Sequence, residues 1–178
     1  MSLDIVIGPM FSGKSSYALA QIRRRQAVGL RVVIIKPAMD VRYGDAAEMV
    51  THDGDKIPCI TWDTRTPLLV TSEMMFADYI VIEEAQFFTS LRSAVKQLVK
   101  QLNKNVLIVG LDGDFKQEPI GEILLCIPWA SNVTKLNAMC YRCGIANAPF
   151  TKKKVVVGGP QIEVGGADKY SAVCLAHL

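Results

Sequence analysis

One eight-residue stretch near the N-terminus limits the folds open to this chain more than any other feature. It reads Gly8-Pro9-Met10-Phe11-Ser12-Gly13-Lys14-Ser15, which is a glycine, four further residues and then Gly-Lys-Ser. A polyphosphate is bound by several backbone N–H groups aimed at one concave point, and glycines permit the tight turns that this requires. The stretch therefore predicts a P-loop, in which Lys14 contacts the β- and γ-phosphates of a nucleotide and the Ser15 hydroxyl holds Mg²⁺.

The residues on both sides of the P-loop (residues 8–15) support this prediction. Residues 4–7 form a short apolar run of the kind found in buried strands, and residues 15–27 have the pattern of a helix that stops near Gly29. A strand, a loop and a helix in this order place the positive end of the helix dipole at the bound phosphates. The flanking pattern therefore favours a nucleotide site over a chance match in a glycine-containing loop.

The segments that follow alternate between strand-like and helix-like patterns. Strands are predicted over residues 30–36, 57–62, 78–84 and 105–111, and helices over residues 67–75 and 89–102. Such alternation predicts an α/β fold of the P-loop NTPase, RecA-like type, with a mostly parallel sheet and helices on both faces.

A polar stretch over residues 38–56 interrupts this alternation and reads as a long loop. Loops of this length inside a compact domain are usually functional or mobile. Its polar side chains are either functional or ordinary surface residues, and the residues alone leave this open. They are Asp40, Arg42, Tyr43, His52 and Asp53.

Two adjacent acids, Glu83 and Glu84, directly follow the apolar run at residues 78–82. A buried strand that ends in acids has the form of a Walker B segment, and ligands of open α/β folds bind at the carboxyl edge of the sheet. The acid that faces the P-loop is expected to serve Mg²⁺. In an ATPase the second acid orients water, whereas in a small-molecule kinase it accepts a proton from a substrate hydroxyl. The residues alone leave both chemistries open.

The C-terminal segment (residues 138–178) carries a pattern of metal ligands. Cys140 and Cys143 form one pair, and Cys174 and His177 form a second, each with two residues between its members. Three thiolates and an imidazole at this spacing predict a closed, tetrahedral structural zinc site. A redox-active Cys-x-x-Cys would leave the second pair unexplained. A segment this small needs the metal in order to fold.

We therefore predict two domains, a P-loop ATP-binding domain over residues 1–137 and a zinc-binding lasso domain over residues 138–178. The chain has five cysteines, and this odd number argues against a complete disulfide framework. Cys59 and Cys126 lie among apolar residues and are predicted to fill the core.

The composition excludes several other classes of protein. Half of the 178 residues are hydrophobic, which is enough for a full core, and the net charge of +3 is too small to predict a nucleic-acid partner. The basic runs at residues 23–25 and 152–154 read as solvated faces. No apolar run approaches the roughly 20 residues of a membrane helix, and the N-terminus lacks a signal-peptide pattern. We expect a cytoplasmic protein with no membrane partner.

With these motifs in place, the sequence resembles the type II thymidine kinases, the cellular and poxvirus-type enzymes, over essentially its whole length. The matching stretches are GPMFSGKS at residues 8–15, Asp40 with Arg42 and Tyr43, THD at residues 51–53, EEAQFF at residues 83–88, GLDGDF at residues 110–115, VTKL at residues 133–136, the Cys-x-x-Cys, and GGADKY at residues 165–170. The resemblance implies transfer of the γ-phosphoryl group of ATP to the 5′-hydroxyl of thymidine or deoxyuridine, which yields dTMP and ADP in pyrimidine deoxynucleotide salvage.

The resemblance also implies roles for particular residues. Glu84 is expected to be the catalytic base, and Glu83 is expected to lie with Ser15 on the Mg²⁺ side. The expected ATP contacts are the P-loop, Arg42, Glu83 and Gln86. The expected nucleoside contacts are Met10, Phe87, Leu111 and Phe115 as walls, with Thr151, Val164, Gly165 and Tyr170 from a lasso-like loop held by zinc. Enzymes of this family are usually homotetramers and are typically inhibited by dTTP.

The chain departs from the family pattern at several positions. Glu83 stands where an aspartate is usual, which lengthens the carboxylate by one methylene. Ile120 stands where a phenylalanine is usual, so one aromatic wall of the base pocket is expected to be missing. Lys116 stands near the usual place of an arginine and lacks its bidentate geometry. These departures bear on base preference more than on the reaction.

Two other functions remain consistent with the residues. One is a zinc-containing P-loop ATPase that acts on DNA or a protein partner, which would hydrolyse ATP without a nucleoside. The other is a binding module with weakened catalysis, suggested by Glu83 and Ile120, which would bind ATP or dTTP with negligible turnover.

Overall fold

A computed structural model describes residues 1–38, 48–50, 56–145, 147–154, 161 and 165–178. Several residues of the sequence predictions lie outside the described residues, namely Asp40, Arg42, Tyr43, Thr51, His52, Asp53 and Val164. The strands and helices, in chain order, are β1 (Ser2–Ile7), α1 (Lys14–Gln26), β2 (Val32–Pro37), β3 (Glu48–Val50), β4 (Lys56–Pro58), β5 (Ile60–Trp62), α2 (Ser72–Phe76), β6 (Tyr79–Ile82), α3 (Leu91–Lys96), β7 (Asn105–Gly110), β8 (Asn132–Lys135), β9 (Ala138–Met139), β10 (Asn147–Ala148), β11 (Phe150–Lys153) and β12 (Tyr170–Val173).

Six parallel strands form the central sheet, in the order β5-β2-β6-β7-β1-β8. Because the strands are parallel, their carboxyl ends meet at one edge of the sheet. The P-loop follows β1 and the two glutamates follow β6, so both lie at this edge. β7 separates them and ends at Gly110, which pairs with Ile7 at the end of β1. The predicted α/β fold with a parallel sheet is confirmed.

Side chains alternate between two apolar cores along the buried strands, as the pleat of a strand requires. Ile5 and Ile108 lie in a core that includes side chains of α2 and α3. Val6 and Val109 lie in a second core with Ala18 of α1. Helices therefore cover both faces of the sheet, as predicted.

Three predicted elements differ in detail from the structure. The predicted strand over residues 57–62 is two strands, because β4 pairs with β3 in a separate hairpin while β5 pairs with β2 at the edge of the main sheet. The predicted helix over residues 67–75 begins only at Ser72. Leu68 instead donates its N–H to the carbonyl of Thr89 at 2.9 Å, and the Thr71 hydroxyl accepts from the Met74 N–H as an N-cap. The helix predicted over residues 89–102 begins at Leu91 and continues after α3 as a π-helical turn over Gln97–Gln101.

The C-terminal segment has small antiparallel sheets of its own. β9 pairs with β10, and β11 pairs with β12. The small apolar cluster of this segment has six buried residues, with Phe11 and Phe150 packed against it; the six are Ala138, Cys140, Ala148, Ala172, Val173 and Cys174. Three of the six are alanines, which bury little apolar surface, so this core contributes less than either core of the main sheet.

Candidate functional site

The P-loop has the backbone conformation that its glycines were predicted to permit. Gly8 has φ 154°, and a Cβ there would lie 2.3 Å from the carbonyl oxygen of Leu136. Gly13 has φ 79° and immediately precedes Lys14, the first residue of α1. The positive end of the α1 dipole therefore faces the loop, where it favours a bound anion.

Lys14 lies within the loop from which it would bind phosphate. It is a buried lysine, and its Nζ donates to the carbonyl oxygen of Pro9 at 2.6 Å. Ser12 also belongs to this loop, because its hydroxyl donates to the same carbonyl at 2.9 Å. A buried ammonium beside several backbone amides is suited to a polyphosphate.

A short hydrogen bond joins the P-loop to the acid pair. The Ser15 hydroxyl donates to Glu83 Oε1 at 2.6 Å, and Glu83 is 5% exposed. The Glu83 N–H donates to the carbonyl of Ile35 at 2.8 Å, which holds the glutamate at the end of the sheet. A hydroxyl and a carboxylate are oxygen ligands of the kind that Mg²⁺ takes in nucleotide sites. The two residues predicted to hold Mg²⁺ are therefore adjacent.

Glu84 follows Glu83 in the turn after β6, and the two carboxylates have different partners. Its backbone is left-handed, with φ 51° and ψ 44°, and a 3₁₀ turn over Ala85–Phe87 follows. Its carboxylate accepts a hydrogen bond from Gln86 Nε2 at 2.6 Å. Non-glycine residues in this conformation cost free energy and are concentrated at functional sites.

The residues predicted to wall a nucleoside pocket are half-buried. They are Met10, Phe87, Leu111 and Phe115. The Nζ of Lys153, on β11, lies 5.3 Å from the centre of the Phe115 ring, so the C-terminal segment reaches this wall. Ile120, which stands where the resembled family has phenylalanine, is 3% exposed.

Three residues of the predicted lasso loop lie within the described part of the chain, namely Thr151, Gly165 and Tyr170. Gly165 is half-buried, and a Cβ there would lie 2.6 Å from the Lys169 Cδ. Tyr170 is buried at the start of β12. Gly165 and Tyr170 therefore lie close together in the chain, at and before the start of β12.

The four predicted zinc ligands form one cluster. The ligand atoms of Cys140, Cys143, Cys174 and His177 all lie within 4.8 Å of one another. The His177 Nδ1 lies 3.1 Å from the Cys174 sulfur and 3.6 Å from the Cys140 sulfur. A tetrahedral zinc ion with ordinary Zn–S and Zn–N bonds separates its ligand atoms by about 3.5–3.8 Å. The cluster therefore has the donor set that zinc takes, and its ligand atoms lie close enough together to share one ion.

The two buried thiols of this cluster differ in acidity. Burial opposes a thiolate at Cys140, but backbone N–H groups of Cys143, Cys174 and Arg142 donate to its sulfur and lower its pKa to about 5. Burial raises the pKa of Cys174, and the neighbouring Cys140 acts in the same direction. Zinc binds cysteine as the thiolate, so metal binding here would release the protons of the thiols that still carry them.

The basic run at residues 152–154 is more than the solvated face that its composition indicated. Lys152 Nζ donates to the carbonyl of His177 at 2.9 Å, which ties β11 to the zinc ligands. Lys154 donates its N–H to the carbonyl of Lys169 at 2.8 Å. These lysines therefore support the C-terminal segment from within.

The C-terminal segment also supports the P-loop directly, a contact that the sequence did not predict. The Met10 N–H donates to the Thr151 hydroxyl at 3.0 Å, and Thr151 is 5% exposed. Phe11 has φ 65° and packs its ring against the apolar cluster of the C-terminal segment. The P-loop is thus held in part by residues of the C-terminal segment.

Replacement of Thr151 by valine tests this support. Valine keeps the shape but removes the acceptor for the Met10 N–H, and an unmet buried donor costs about 1–2 kcal/mol. We expect the affinity for a non-hydrolysable ATP analogue to fall by a factor of about 5–30, measured by calorimetry. Thr151→Ser keeps the hydroxyl and is the matched control. Equal affinities in the two variants would show that the hydrogen bond does not support ATP binding.

The geometry of the acid pair is compatible with both an ATPase and a small-molecule kinase, and similarity to known proteins distinguishes them. A sequence model of the family described as "Thymidine kinase" matches residues 1–178, the whole chain. The chain belongs to the thymidine kinase family. Membership of the family, with homology along the whole chain, gives it thymidine kinase activity, EC 2.7.1.21. This decides between the two chemistries that the acid pair left open, in favour of a kinase.

Relatives of this thymidine kinase come from plants, viruses and animals. The thymidine kinase of Oryza sativa subsp. japonica is 38% identical over 179 residues, which cover 98% of this chain and 65% of the rice protein. That of Rabbit fibroma virus is 35% identical over 177 residues, covering 97% of this chain and 93% of the viral protein. The cytosolic thymidine kinase of Homo sapiens is 34% identical over 176 residues, covering 97% of this chain and 70% of the human protein.

The structure thus brings together the main predicted groups of a thymidine kinase, namely the P-loop, the acid pair and the C-terminal segment. Arg42 and Val164 lie outside the described residues. The hydrogen bonds from Gln86 to Glu84 and from Met10 to Thr151 were missed, because no local pattern in the sequence marks them.

Among the described residues, no helix is both long enough and apolar enough to cross a membrane.

Proposed function

We propose that this protein transfers the γ-phosphoryl group of ATP to the 5′-hydroxyl of thymidine or deoxyuridine, with Glu84 as the catalytic base. The observation that carries this proposal is the hydrogen bond of 2.6 Å from the Ser15 hydroxyl to Glu83. It joins the ATP-binding loop to the acid pair, and the next residue, Glu84, would then act on the transferred group. The kinase family supports ATP as the phosphoryl donor.

The P-loop and Glu83 would position ATP. Backbone N–H groups of the loop and the Lys14 ammonium would contact its phosphates, as would Arg42. Ser15 and Glu83 would hold Mg²⁺, which when bound neutralises charge on the β- and γ-phosphates. Phosphoryl transfer requires mostly positioning and charge neutralisation from the protein, and a buried lysine beside a helix N-terminus supplies both.

Glu84 would accept the proton of the nucleoside hydroxyl. As that proton moves to the carboxylate, the 5′-oxygen forms a bond to the γ-phosphorus, and the bond from the γ-phosphorus to the bridging oxygen of ADP breaks. A positioned base of this kind typically contributes a factor of about 10²–10⁴ to the rate. The hydrogen bonds of the two glutamates support these different roles. Glu83 accepts from the Ser15 hydroxyl, whereas Glu84 accepts from the Gln86 amide.

The nucleoside would lie between the main sheet and the C-terminal segment. Its base would contact Met10, Phe87, Leu111 and Phe115, together with Val164, Gly165 and Tyr170 of the lasso loop. We assign residues 1–137 to an ATP-binding domain and residues 138–178 to a zinc-held domain. Zinc bound by the Cys₃His cluster would stabilise that domain. Thr151 would support the P-loop by accepting the Met10 N–H, and it would not contact the pyrimidine ring of the nucleoside.

The test is transfer of labelled phosphate from [γ-³²P]ATP to thymidine by the purified, zinc-loaded protein. We expect labelled dTMP in an amount equal to the ADP formed, and little ATP hydrolysis when thymidine is omitted. Hydrolysis of ATP without a nucleoside, stimulated by DNA or a protein, would instead support the ATPase alternative. Binding of ATP or dTTP without turnover would support the binding-module alternative.

Three finer proposals rest on the family alone. Feedback inhibition by dTTP is expected to appear as inhibition competitive with thymidine. A homotetramer is expected in size-exclusion chromatography with light scattering. A cytoplasmic location is supported by the human relative, which is described as cytosolic.

A further inference from the structure

An ion pair at the carboxyl edge of the sheet joins Asp112 to Lys135. Asp112 Oδ2 lies 2.7 Å from Lys135 Nζ, and the Asp112 side chain is only 15% exposed. Asp112 comes two residues after the end of β7, and Lys135 is the last residue of β8. Both residues lie in stretches that match the family, GLDGDF and VTKL, yet neither has a role in the reaction described above.

The ion pair reaches across the end of β1. β1 lies between β7 and β8, and its last residue, Ile7, pairs with Gly110 on one side and with Lys135 on the other. Neighbouring strands are about 4.8 Å apart, so the backbones of β7 and β8 are separated by about 9–10 Å. The long lysine side chain spans this gap. The pair therefore ties the chain that follows β7 to a strand that is not its neighbour.

The strand register places the ion pair on the nucleoside side of the sheet. Residues paired between neighbouring strands point their side chains to the same face, so Lys135 shares the face of Ile7. Ile7 belongs to the core that contains Ala85, which begins the turn that carries Phe87. Ala18 of α1 belongs to the core on the other face. The pair is therefore close to the predicted nucleoside walls and lies on the face opposite the helix that follows the P-loop.

Asp112 is the member of the pair that is held, and Lys135 is the member that holds it. The backbone of Lys135 is part of β8, which pairs with β1, whereas Asp112 lies beyond the end of its strand. Asp112 directly follows Leu111, one of the predicted nucleoside walls. The Leu111 N–H donates to Gln86 Oε1 at 2.9 Å. Leu111 is therefore fixed at its own amide by Gln86 and at the next residue by Lys135.

The chain after Asp112 continues into a turn that carries Phe115, a second predicted wall. Asp114 is 6% exposed, and its Oδ1 accepts from two backbone N–H groups of this turn at 2.7 and 3.0 Å. These hydrogen bonds fix the shape of the turn. The ion pair of Asp112 with Lys135 fixes the place where the turn leaves the sheet.

We propose that Asp112 and Lys135 are a positioning pair that holds Leu111 and Phe115 in place as walls of the nucleoside site, and that the pair does not contribute to ATP binding. This inference rests on the proposed function, because that function makes Leu111 and Phe115 nucleoside walls. Lys14 of the P-loop is held by a different contact, with Pro9. Loss of the pair should therefore weaken thymidine binding and leave both the ATP site and the transfer step in place.

A double-mutant cycle tests the pair. Lys135→Met and Asp112→Asn each remove one charge at nearly constant size. We expect the dissociation constant of thymidine, measured by calorimetry with a non-hydrolysable ATP analogue present, to rise about three- to fivefold in each variant. The protein with both changes should show the same rise and not the product of two rises, because either change alone already breaks the pair. The KM for thymidine should follow, with kcat and the affinity for the ATP analogue within about twofold of the unaltered protein.

Two further variants are matched controls. Lys135→Arg keeps the charge and should keep the thymidine affinity within about twofold. Arg31→Met breaks a different ion pair of the same sheet, in which Arg31 Nε lies 3.2 Å from Asp78 Oδ2 before the amino ends of β2 and β6. Its thymidine affinity should also stay within about twofold. A merely structural contribution would instead lower the Tm and weaken the binding of thymidine and of the ATP analogue together.

Hydrogen exchange gives a readout without a nucleoside. Peptides that cover residues 111–118 should exchange faster in Lys135→Met than in Arg31→Met, because their connection to β8 is lost. Faster exchange supports the pair even if the unaltered protein neither binds thymidine nor makes dTMP, an outcome that would count against the proposed function alone.

Unchanged exchange over residues 111–118 in Lys135→Met would overturn the inference. Additive effects in the cycle would also overturn it, since they would show that the two side chains act separately. So would a Lys135→Arg protein as weak in thymidine binding as Lys135→Met, or equal losses of affinity for thymidine and for the ATP analogue.

Discussion

Glu84→Gln is expected to lower kcat by a factor of about 10²–10⁴, the usual contribution of a positioned general base. Glutamine keeps the size of the side chain and can still bond a hydroxyl, but it cannot accept the proton. The Ser15–Glu83 contact and Lys14 remain in place, so ATP binding should survive. Steady-state kinetics give kcat, and calorimetry with a non-hydrolysable analogue gives the affinity for ATP.

Glu73→Gln is the matched control for this prediction. Glu73 is an exposed glutamate on α2, away from the acid pair in the fold, and its replacement should leave kcat within about twofold, as is usual for surface changes. A Glu84→Gln protein with unchanged kcat would show that another group is the base. A fall in ATP affinity as large as the fall in kcat would place Glu84 in the phosphate site.

Cys174→Ala is expected to have the second large effect, because it removes one of four zinc ligands. The zinc content should fall from about one ion per chain to well below one. Structural zinc sites contribute most of the stability of the segments they hold, and each kcal/mol lost lowers the Tm by about 2–4 °C at this size. We therefore expect a Tm lower by about 10 °C or more, measured by calorimetry with metal analysis.

The loss should extend to ATP binding, because the C-terminal segment holds the P-loop through Thr151 and Phe11. We expect the Cys174→Ala protein to bind the ATP analogue at least as weakly as Thr151→Val. Cys126→Ala is the control, because Cys126 is fully buried in a core of the main sheet and not in the apolar cluster that contains Cys140 and Cys174. It should lower the Tm while keeping full zinc content. Full zinc content in Cys174→Ala would refute the ligand set.

The groups that could be predicted from the sequence are those that local patterns specify. The P-loop is one contiguous stretch, and the acid pair directly follows an apolar strand. The zinc ligands form two pairs with the same spacing. Each pattern satisfies its chemical requirement within a few residues, so it can be recognised before the fold is known.

The contacts that could not be predicted join residues with no local signal. Met10 and Thr151 are 141 positions apart in the chain, and either residue alone would fit an ordinary loop or strand. Gln86 reads as one polar residue in a family motif, and its burial depends on where β7 ends. The start of α2 was also predicted too early. The apolar pattern indicated a helix from residue 67, whereas Thr71 is the N-cap and the helix begins at Ser72.

The central claim is that a nucleoside hydroxyl is held between Glu84 and the phosphates bound at Lys14. The most direct test is a crystal structure of the zinc-loaded protein with thymidine, Mg²⁺ and a non-hydrolysable ATP analogue. We predict a distance of about 2.6–3.2 Å from the Glu84 carboxylate to the thymidine 5′-oxygen, with that oxygen in line with the γ-phosphorus. A 5′-oxygen bonded to a different acid, or lying beyond reach of Glu84 while the γ-phosphate contacts Lys14, would contradict the account.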